Sequence, residues 1–425
     1  MKYKTIQSSK DVIALASKLL HLRRHAITDD SKKAVSIINQ YIKLKPINIP
    51  SGTKCWDWVI PHKWDLIKAE IKFKDKVIFT DSEHVMAVQP YSSSFKGELD
   101  LEELKNHITY NKNMPDAYAY NCKLAYRHPY EKDWLISIPY NRVKKLKKGK
   151  YSITIKSKFT ADKMLIGEKT LKGKSDKSIV LLSDICHPGQ ADDGIVGIAL
   201  WVRIIQSLSK RKKLNYSYKF FTPTETIGSV AWLWKRKNQI SKIKAGVFLE
   251  SIGNKQPLKC KLSHKGNSEI DKIAKTVFKP SLLYDFQEGV MNDELIFADS
   301  DIDIPMISLQ RFPYPEYHTS MDNIEAISEK SLDESYIQTM QIIDIIEANY
   351  TPKKTTKGPF YLSKHNLYIE AKNKSDYWRN WNLMNLLGSE KTILQISEEI
   401  KLGFWDTYEI VEKFRKAGLI KSIYN

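Results

Sequence analysis

The feature that most narrows the fold is a change of rhythm after residue 178. SIVLLSDI is an almost unbroken apolar run, as expected of a strand buried on both faces. GIVGIALWVRIIQSLSK follows with helical spacing. YSYKFFTP then predicts a strand, SVAWLWKRKNQI a helix, AGVFLES a strand, and IDIPMISLQ another strand near residue 305. Strands alternating with helices predict an α/β fold, a mostly parallel, mixed sheet flanked by helices. AISEKSLDESYIQTMQIIDIIEANY, over 326–350, predicts a long closing helix.

The flanks read differently. Residues 1–45 are helical: Val12, Leu15, Leu19 and Leu20 recur at helical spacing, as do Ala34, Ile37, Ile38, Tyr41 and Ile42. INIPSGTKCWDWVIPHKW ends that pattern with Pro, Gly and Trp. KVIFT and HVMAVQ predict strands, LDLEELKNHI a short helix, and YSITIKSKFT a strand near residue 155. TPKKTTKG, 351–358, reads as a linker. Beyond it, Leu383 to Lys421 reads as a self-contained unit of a helix, a turn at Leu402 and Gly403, an amphipathic helix and a short strand. That order is that of a winged helix-turn-helix.

A chain of 425 residues suggests two or three domains. Apolar residues at 42% and charged residues at 28% are ordinary globular values. No run of apolar residues reaches membrane-spanning length. Met1 to Leu20 lacks the apolar core and cleavage site of a secretory signal, so a cytoplasmic address is expected. Cys55, Cys122, Cys186 and Cys260 are scattered, against a disulfide framework or a cysteine zinc ribbon. The net charge of +19 fits nucleic acid or an anionic surface. An AT-rich genome's lysine usage is the preferred reading, since the lysines are spread along the chain and the runs KKLKKGK and KRKK look like solvated loops or helix ends.

In open α/β sheets, ligands gather at the carboxyl ends of strands. After SIVLLSDI come His187 and, in ADDG, Asp193. After YSYKFFTP comes Glu225, AGVFLE ends on Glu250, and RFPYPEYHTSMDN after IDIPMISLQ brings His318. Imidazole and carboxylate are zinc ligands, and a carboxylate bridge with further ligands suits a two-zinc site. Each residue also has an ordinary reading: Asp193 as a helix N-cap, a strand-end Glu as solvated, a lone His as surface. The series in this order is what points to a metal.

HPGQADDGIVG, PTETIGS, FLESIG and YHTSMDN together resemble the co-catalytic zinc aminopeptidases, a clan that includes bacterial aminopeptidases, glutamate carboxypeptidase and glutaminyl cyclase. The resemblance implies His187 as first ligand, Asp193 as bridge, Glu225 and Glu250 in the metal shell and His318 as last ligand, around one or two zinc ions. NDELIF resembles the clan's D-H-x-x-F segment, implying Asp293 as an orienting residue, and Asp322 completes the H-T-x-x-D pattern. Gly197 matches the glycine of the clan's D-x-x-S-G turn, with Val196 in place of its Ser. The chain is similar, nearly throughout, to an uncharacterised bacterial group of aminopeptidase-like proteins, through Pro50-Ser51-Gly52-Thr53, Trp58-Val59-Ile60-Pro61, Trp64, CHP, ETIGS and YPEYHTS. That likeness implies a zinc aminopeptidase-like domain over 1–50 and 126–355, an inserted β-rich domain over 51–125 and a winged helix over 356–425.

The activity so implied is metal-assisted amide hydrolysis, with a peptide or aminoacylated small molecule as substrate. The clan uses a Glu pair, one as base and one as ligand; here Thr224 precedes a single Glu225. Either Glu225 is the base, or it is a ligand and the base is another residue such as Glu294. Two rivals remain: a module that has lost its chemistry, and a winged-helix regulator. The second helix of that unit carries Asp406 and Glu409 near its start, where base readout wants Arg, Lys, Asn or Gln. Packing or protein contact is therefore preferred to nucleic acid. A homo-oligomer stays open as a further partner.

Overall fold

The computed structural model describes residues 3–128, 130–368 and 370–424. The apolar run is indeed a central strand: Ser178–Leu182 is buried at every position and pairs in parallel with Ser217–Thr222 on one side and Ile243–Glu250 on the other. Met306–Gln310 continues the parallel set beside Ile243–Glu250. Four more strands complete an eight-stranded mixed sheet: Lys163–Leu171 and then Lys45–Pro50 at one side, each antiparallel to its inner neighbour, and Lys259–Lys261, antiparallel to Met306–Gln310, and then Leu283–Tyr284, parallel to Lys259–Lys261, at the other.

Successive side chains of a strand face opposite ways, and two cores result. Ile179, Leu181, Val247, Leu249, Ile307 and Leu309 pack with helices Ser9–Leu20, Ile195–Ser209 and Glu329–Ala348. Val180, Leu182, Phe221 and Phe248 face helix Ile227–Lys235, through Val230, Trp232 and Leu233. The helix 195–209 needs its apolar residues nearly all round because it lies wedged against the sheet. A Cβ on Gly197 would meet Ser183 Oγ at 2.2 Å and the Leu249 carbonyl at 2.8 Å, so only glycine permits that approach.

A second, four-stranded antiparallel sheet is inserted between Lys45–Pro50 and Lys163–Leu171. Its order is Lys76–Thr80, Lys63–Phe73, Lys150–Thr160, Phe95–Asp100, over its own core of Trp64, Ile71, Phe79, Trp134, Tyr151 and Ile153. The expected end of this segment at residue 125 would cut the sheet. Lys150–Thr160 belongs to it because Tyr151, Ile153 and Ile155 point into that core. HVMAVQ is not a strand. Met86 to Gln89 are all buried and make one isolated antiparallel bridge, Val88 to Ile136, while the Gln89 side-chain amide donates to the carbonyls of Met86 (2.9 Å) and Ala119 (3.0 Å).

The expected linker is also partly structured: Thr351–Lys354 pairs antiparallel with the final strand Ile420–Ile423. Between them run helices Lys374–Leu386, Ile393–Glu399 and Phe404–Lys416. This C-terminal unit is not self-contained, since Leu387, Ile393, Val411 and Phe414 join the same core as Ile346 and Tyr350 of the closing helix region. Among the described residues, no helix is long and apolar enough to cross a membrane.

Candidate active site

At the carboxyl edge of the parallel strands, the backbone turns sharply. His187, Thr226, Ser251 and His318 all have positive φ (64°, 62°, 50° and 56°) without being glycine. Each such residue costs on the order of 1–2 kcal/mol, and strain of this kind collects where a site over-determines the chain. The restraints are visible. Arg24, fully buried, donates to the carbonyls of Ile185 (2.6 Å), Cys186 (2.7 Å) and His187 (2.7 Å). Burial pushes its pKa down to about 10, so the guanidinium is held there at a cost.

Buried carboxylates stitch neighbouring loops together. Asp322 accepts from the backbone N–H of Asp192 (2.8 Å) and of Asp193 (3.0 Å), and from the Tyr314 hydroxyl (3.0 Å). Asp192 accepts from the N–H of Gly253 (2.6 Å) and of Asn254 (3.0 Å), just past Glu250. Asp293 accepts from the N–H of Thr226 at 2.9 Å, and burial raises its pKa to about 7. Asp293 and Asp322 therefore hold the turns that carry Glu225 and Asp193.

The turns bring His187, Asp193 and His318 together, each offering a ligand atom within 4.8 Å of the others. Asp193 presents one oxygen to each imidazole: Oδ1 lies 3.8 Å from His187 Nδ1, and Oδ2 lies 3.3 Å from His318 Nε2. Glu225 Oε2 lies 3.3 Å from His187 Nε2, and Cys186, His187 and Glu225 form a second group of close ligand atoms. Burial opposes charge on His187, but Asp193, Cys186, Tyr120 and Glu225 overcome it and hold its pKa well above the ordinary value. For Asp193 burial is outweighed by His187 and His318, and its pKa falls.

Glu250 joins neither group. Its Oε1 accepts from Asn292 Nδ2 at 2.7 Å, while burial and then Glu294 and Asp193 raise its pKa well above the carboxylate range. Glu294 is 1% exposed and ion-paired with Lys261, itself fully buried. The site also contains residues that sequence reasoning passed over. Tyr120 sets its ring edge-on to His187 and His318, centroids 5.0 and 5.3 Å away. Tyr126, on helix Lys123–Arg127 of the inserted segment, donates its hydroxyl to Glu225 Oε2. Arg24, Asn292 and Cys186 complete the set. Cys186, adjacent to His187, and Asn292, which opens NDELIF, had a signal in the sequence.

These residues fit a cation. Asp184 Oδ1, Asp193 Oδ2, Glu250 Oε2 and Asp293 Oδ1 are buried without a hydrogen-bond donor, a condition costly for any carboxylate and relieved by a positive ion. Beside them lies a small cleft of about 60 Å³, walled by Trp58, Val59, Tyr120, Ala125, Tyr126 and Ile227, with Glu225 and Cys186 in its lining.

The fold is that of an aminopeptidase-like α/β protein. It superposes on the zinc aminopeptidase BSAP of Bacillus subtilis with a TM-score of 0.58 at 13% identity, over 80% of this chain and 95% of that one. The chain belongs to the family described as "Domain of unknown function (DUF4910)", whose family model matches residues 13–349. It is similar to a Clostridium acetobutylicum protein named "Putative polysaccharide biosynthesis protein with aminopeptidase-like domain", 28% identical over 436 residues and 99% of each chain. A crystal structure of a "putative peptidase" from Clostridium acetobutylicum matches 98% of this chain and 96% of its own, with a TM-score of 0.83 at 25% identity.

Proposed function

We propose that this chain is a zinc-dependent hydrolase of amide bonds that acts on a peptide or an aminoacylated small molecule. The observation that carries the reading is the Asp193 carboxylate, one oxygen towards each of two histidines. His187, Asp193 and His318 would hold the metal, with Glu250 as a further carboxylate of its shell. Zinc, when bound, supplies the Lewis acidity that polarises a carbonyl and acidifies water. Glu225 is the base on this reading: its Oε2 is fixed by Tyr126, leaving Oε1 to take a proton from water and pass it to the departing amine. Glu294 does not suit that role, because Lys261 already engages it out of solvent's reach. The apolar cleft beside Glu225 receives the acyl portion.

Residues 51–162 are on this reading an inserted β-rich domain, and the C-terminal unit from Thr351 a winged helix. Its helix Phe404–Lys416 has Asp406 in the first turn and buries Phe404, Val411 and Phe414, which supports packing rather than base readout. Four free cysteines suit a reducing compartment such as the cytoplasm. The single Glu after Thr224 keeps a second reading in play, a metal-binding module without turnover.

The purified protein is expected to contain one or two zinc ions. It should hydrolyse members of a panel of aminoacyl-anilides and N-acyl amino sugars, lose that activity to a chelator and regain it with zinc. Zinc without turnover would favour the second reading. Protein free of zinc and inert in the presence of added zinc would refute both.

A further inference from the structure

The hairpin Lys54–Cys55/Trp58–Val59 turns through Trp56 and Asp57. In two-residue hairpin turns, a central position with positive φ normally goes to Gly, Asn or Asp. Here Trp56 occupies it at φ 56°, about the least suitable kind of side chain on steric grounds. It gains little burial in exchange, being 46% exposed, and Trp58 is 38% exposed. Local folding does not account for the choice, and strain of this sort points to function.

The two indoles stand over a groove of about 490 Å³, within the roughly 300–1,000 Å³ of small-molecule sites. Its apolar lining includes Val230, Ile240 and Ile302, and Asp57, Asp299, Asp301 and Lys237 also line it. The three carboxylates are exposed. Trp58 lines this groove and also the cleft beside Glu225, so the two spaces meet at one indole.

We propose that the Trp56–Trp58 groove is a carbohydrate subsite, which makes the substrate an amide carried on an oligosaccharide. The assignment rests on the hydrolase reading for the neighbouring cleft, but the groove's own chemistry selects the ligand. A pyranose has an apolar C–H face and a polar hydroxyl edge. Indole rings and an aliphatic floor suit the face, and exposed carboxylates beside an ammonium suit the edge, as acceptors and a donor for hydroxyls. A cation site would gather its carboxylates without Lys237 among them. An apolar peptide side chain would leave the polar rim unused.

The test is calorimetric titration of the zinc-loaded protein with chitotriose, and separately with trilysine, in wild type and Trp56→Gly. Glycine suits the positive φ, so the variant is expected to fold; Trp56→Ala serves as a second variant. Chitotriose should bind, and both variants should weaken it at least about tenfold, about 1.4 kcal/mol. Aminoacyl-anilide hydrolysis should stay within about twofold of wild type, since Trp56 does not line the cleft. No chitotriose binding at millimolar concentration, binding unchanged in both variants, or Trp56-dependent binding of trilysine in its place would each overturn the proposal. Anilide hydrolysis in the wild type reports on the hydrolase reading separately, so failure of one is distinguishable from failure of the other.

Discussion

Replacing Arg24 by Met tests whether the His187 loop is held in a strained state by one buried side chain. The substitution keeps much of the volume and removes three hydrogen bonds to consecutive carbonyls, Ile185 to His187. A buried acceptor that loses its donor costs about 1–3 kcal/mol, so three of them set a gross loss of roughly 3–9 kcal/mol. Against this, the variant no longer buries a guanidinium. The fall in Arg24 pKa from 12.5 to about 10 corresponds to roughly 3 kcal/mol of offset at about 1.4 kcal/mol per unit. Relaxation of His187 from its φ of 64° offsets on the order of 1–2 kcal/mol more. The net loss of stability is then small to moderate, about 2 kcal/mol. On the proposed zinc site the larger effect is on metal affinity, because a relaxed loop must be driven back for His187 to ligate. A reorganisation of about 1–2 kcal/mol weakens binding roughly 5- to 30-fold. Competition with a chromophoric chelator gives the zinc Kd, and urea unfolding of the metal-free protein gives the stability. A Kd within about threefold of wild type, with His187→Ala abolishing binding in the same assay, would refute the argument.

Three further outcomes are expected. Lys261→Met should destabilise the protein by about 3–5 kcal/mol, because Glu294 is left buried and unpaired; Lys261→Met with Glu294→Gln should recover much of this in the same urea titration. Tyr126→Phe should lower kcat about tenfold, the loss of one charged hydrogen bond of about 1.5 kcal/mol, with zinc content unchanged. The Tyr126 hydroxyl helps hold Glu225 below its ordinary pKa against burial, so the acid limb of the kcat profile should also move to higher pH. His84 is neutral in the fold: burial, then His21 and Arg23, lower its pKa from 6.5 to about 4, and its Nδ1 accepts the Met86 N–H at 3.1 Å. Its contribution is therefore complete above about pH 6.5 and is lost as pH falls towards 4. Calorimetric melting of His84→Gln should show a smaller drop in Tm between pH 7 and 4.5 than wild type.

Much of the central sheet was legible because burial writes itself into the sequence at short range. Ser178–Leu182 and Ile243–Glu250 are covered on both faces, and their apolar runs say so. Strand-end polar residues could be read off once the strands were placed, which is how His187, Asp193, Glu225 and His318 came together on paper. The failures share a cause. Met86 to Gln89 is buried by segments distant in sequence, so its composition mimics a strand although its pairing stops at the one bridge of Val88 to Ile136. Thr351–Lys354 looks like a linker because its partner strand lies at the far end of the chain. Arg24 and Tyr126 act on groups 161 or more and 99 residues away. No local pattern distinguishes them from ordinary surface residues.

The inserted segment and the His318 loop are also joined through the backbone. Ala119 forms a bridge with Thr319, the Tyr120 N–H donates to the His318 carbonyl at 2.9 Å, and the Ser320 N–H donates to the Tyr118 carbonyl at 2.8 Å. For divergence among relatives, this ties two stretches some two hundred positions apart into one heritable unit. Recombination that exchanged the insertion alone would strand a histidine against a foreign edge. Chimaeras that swap 51–162 together with 312–322 should survive where those swapping either part should not.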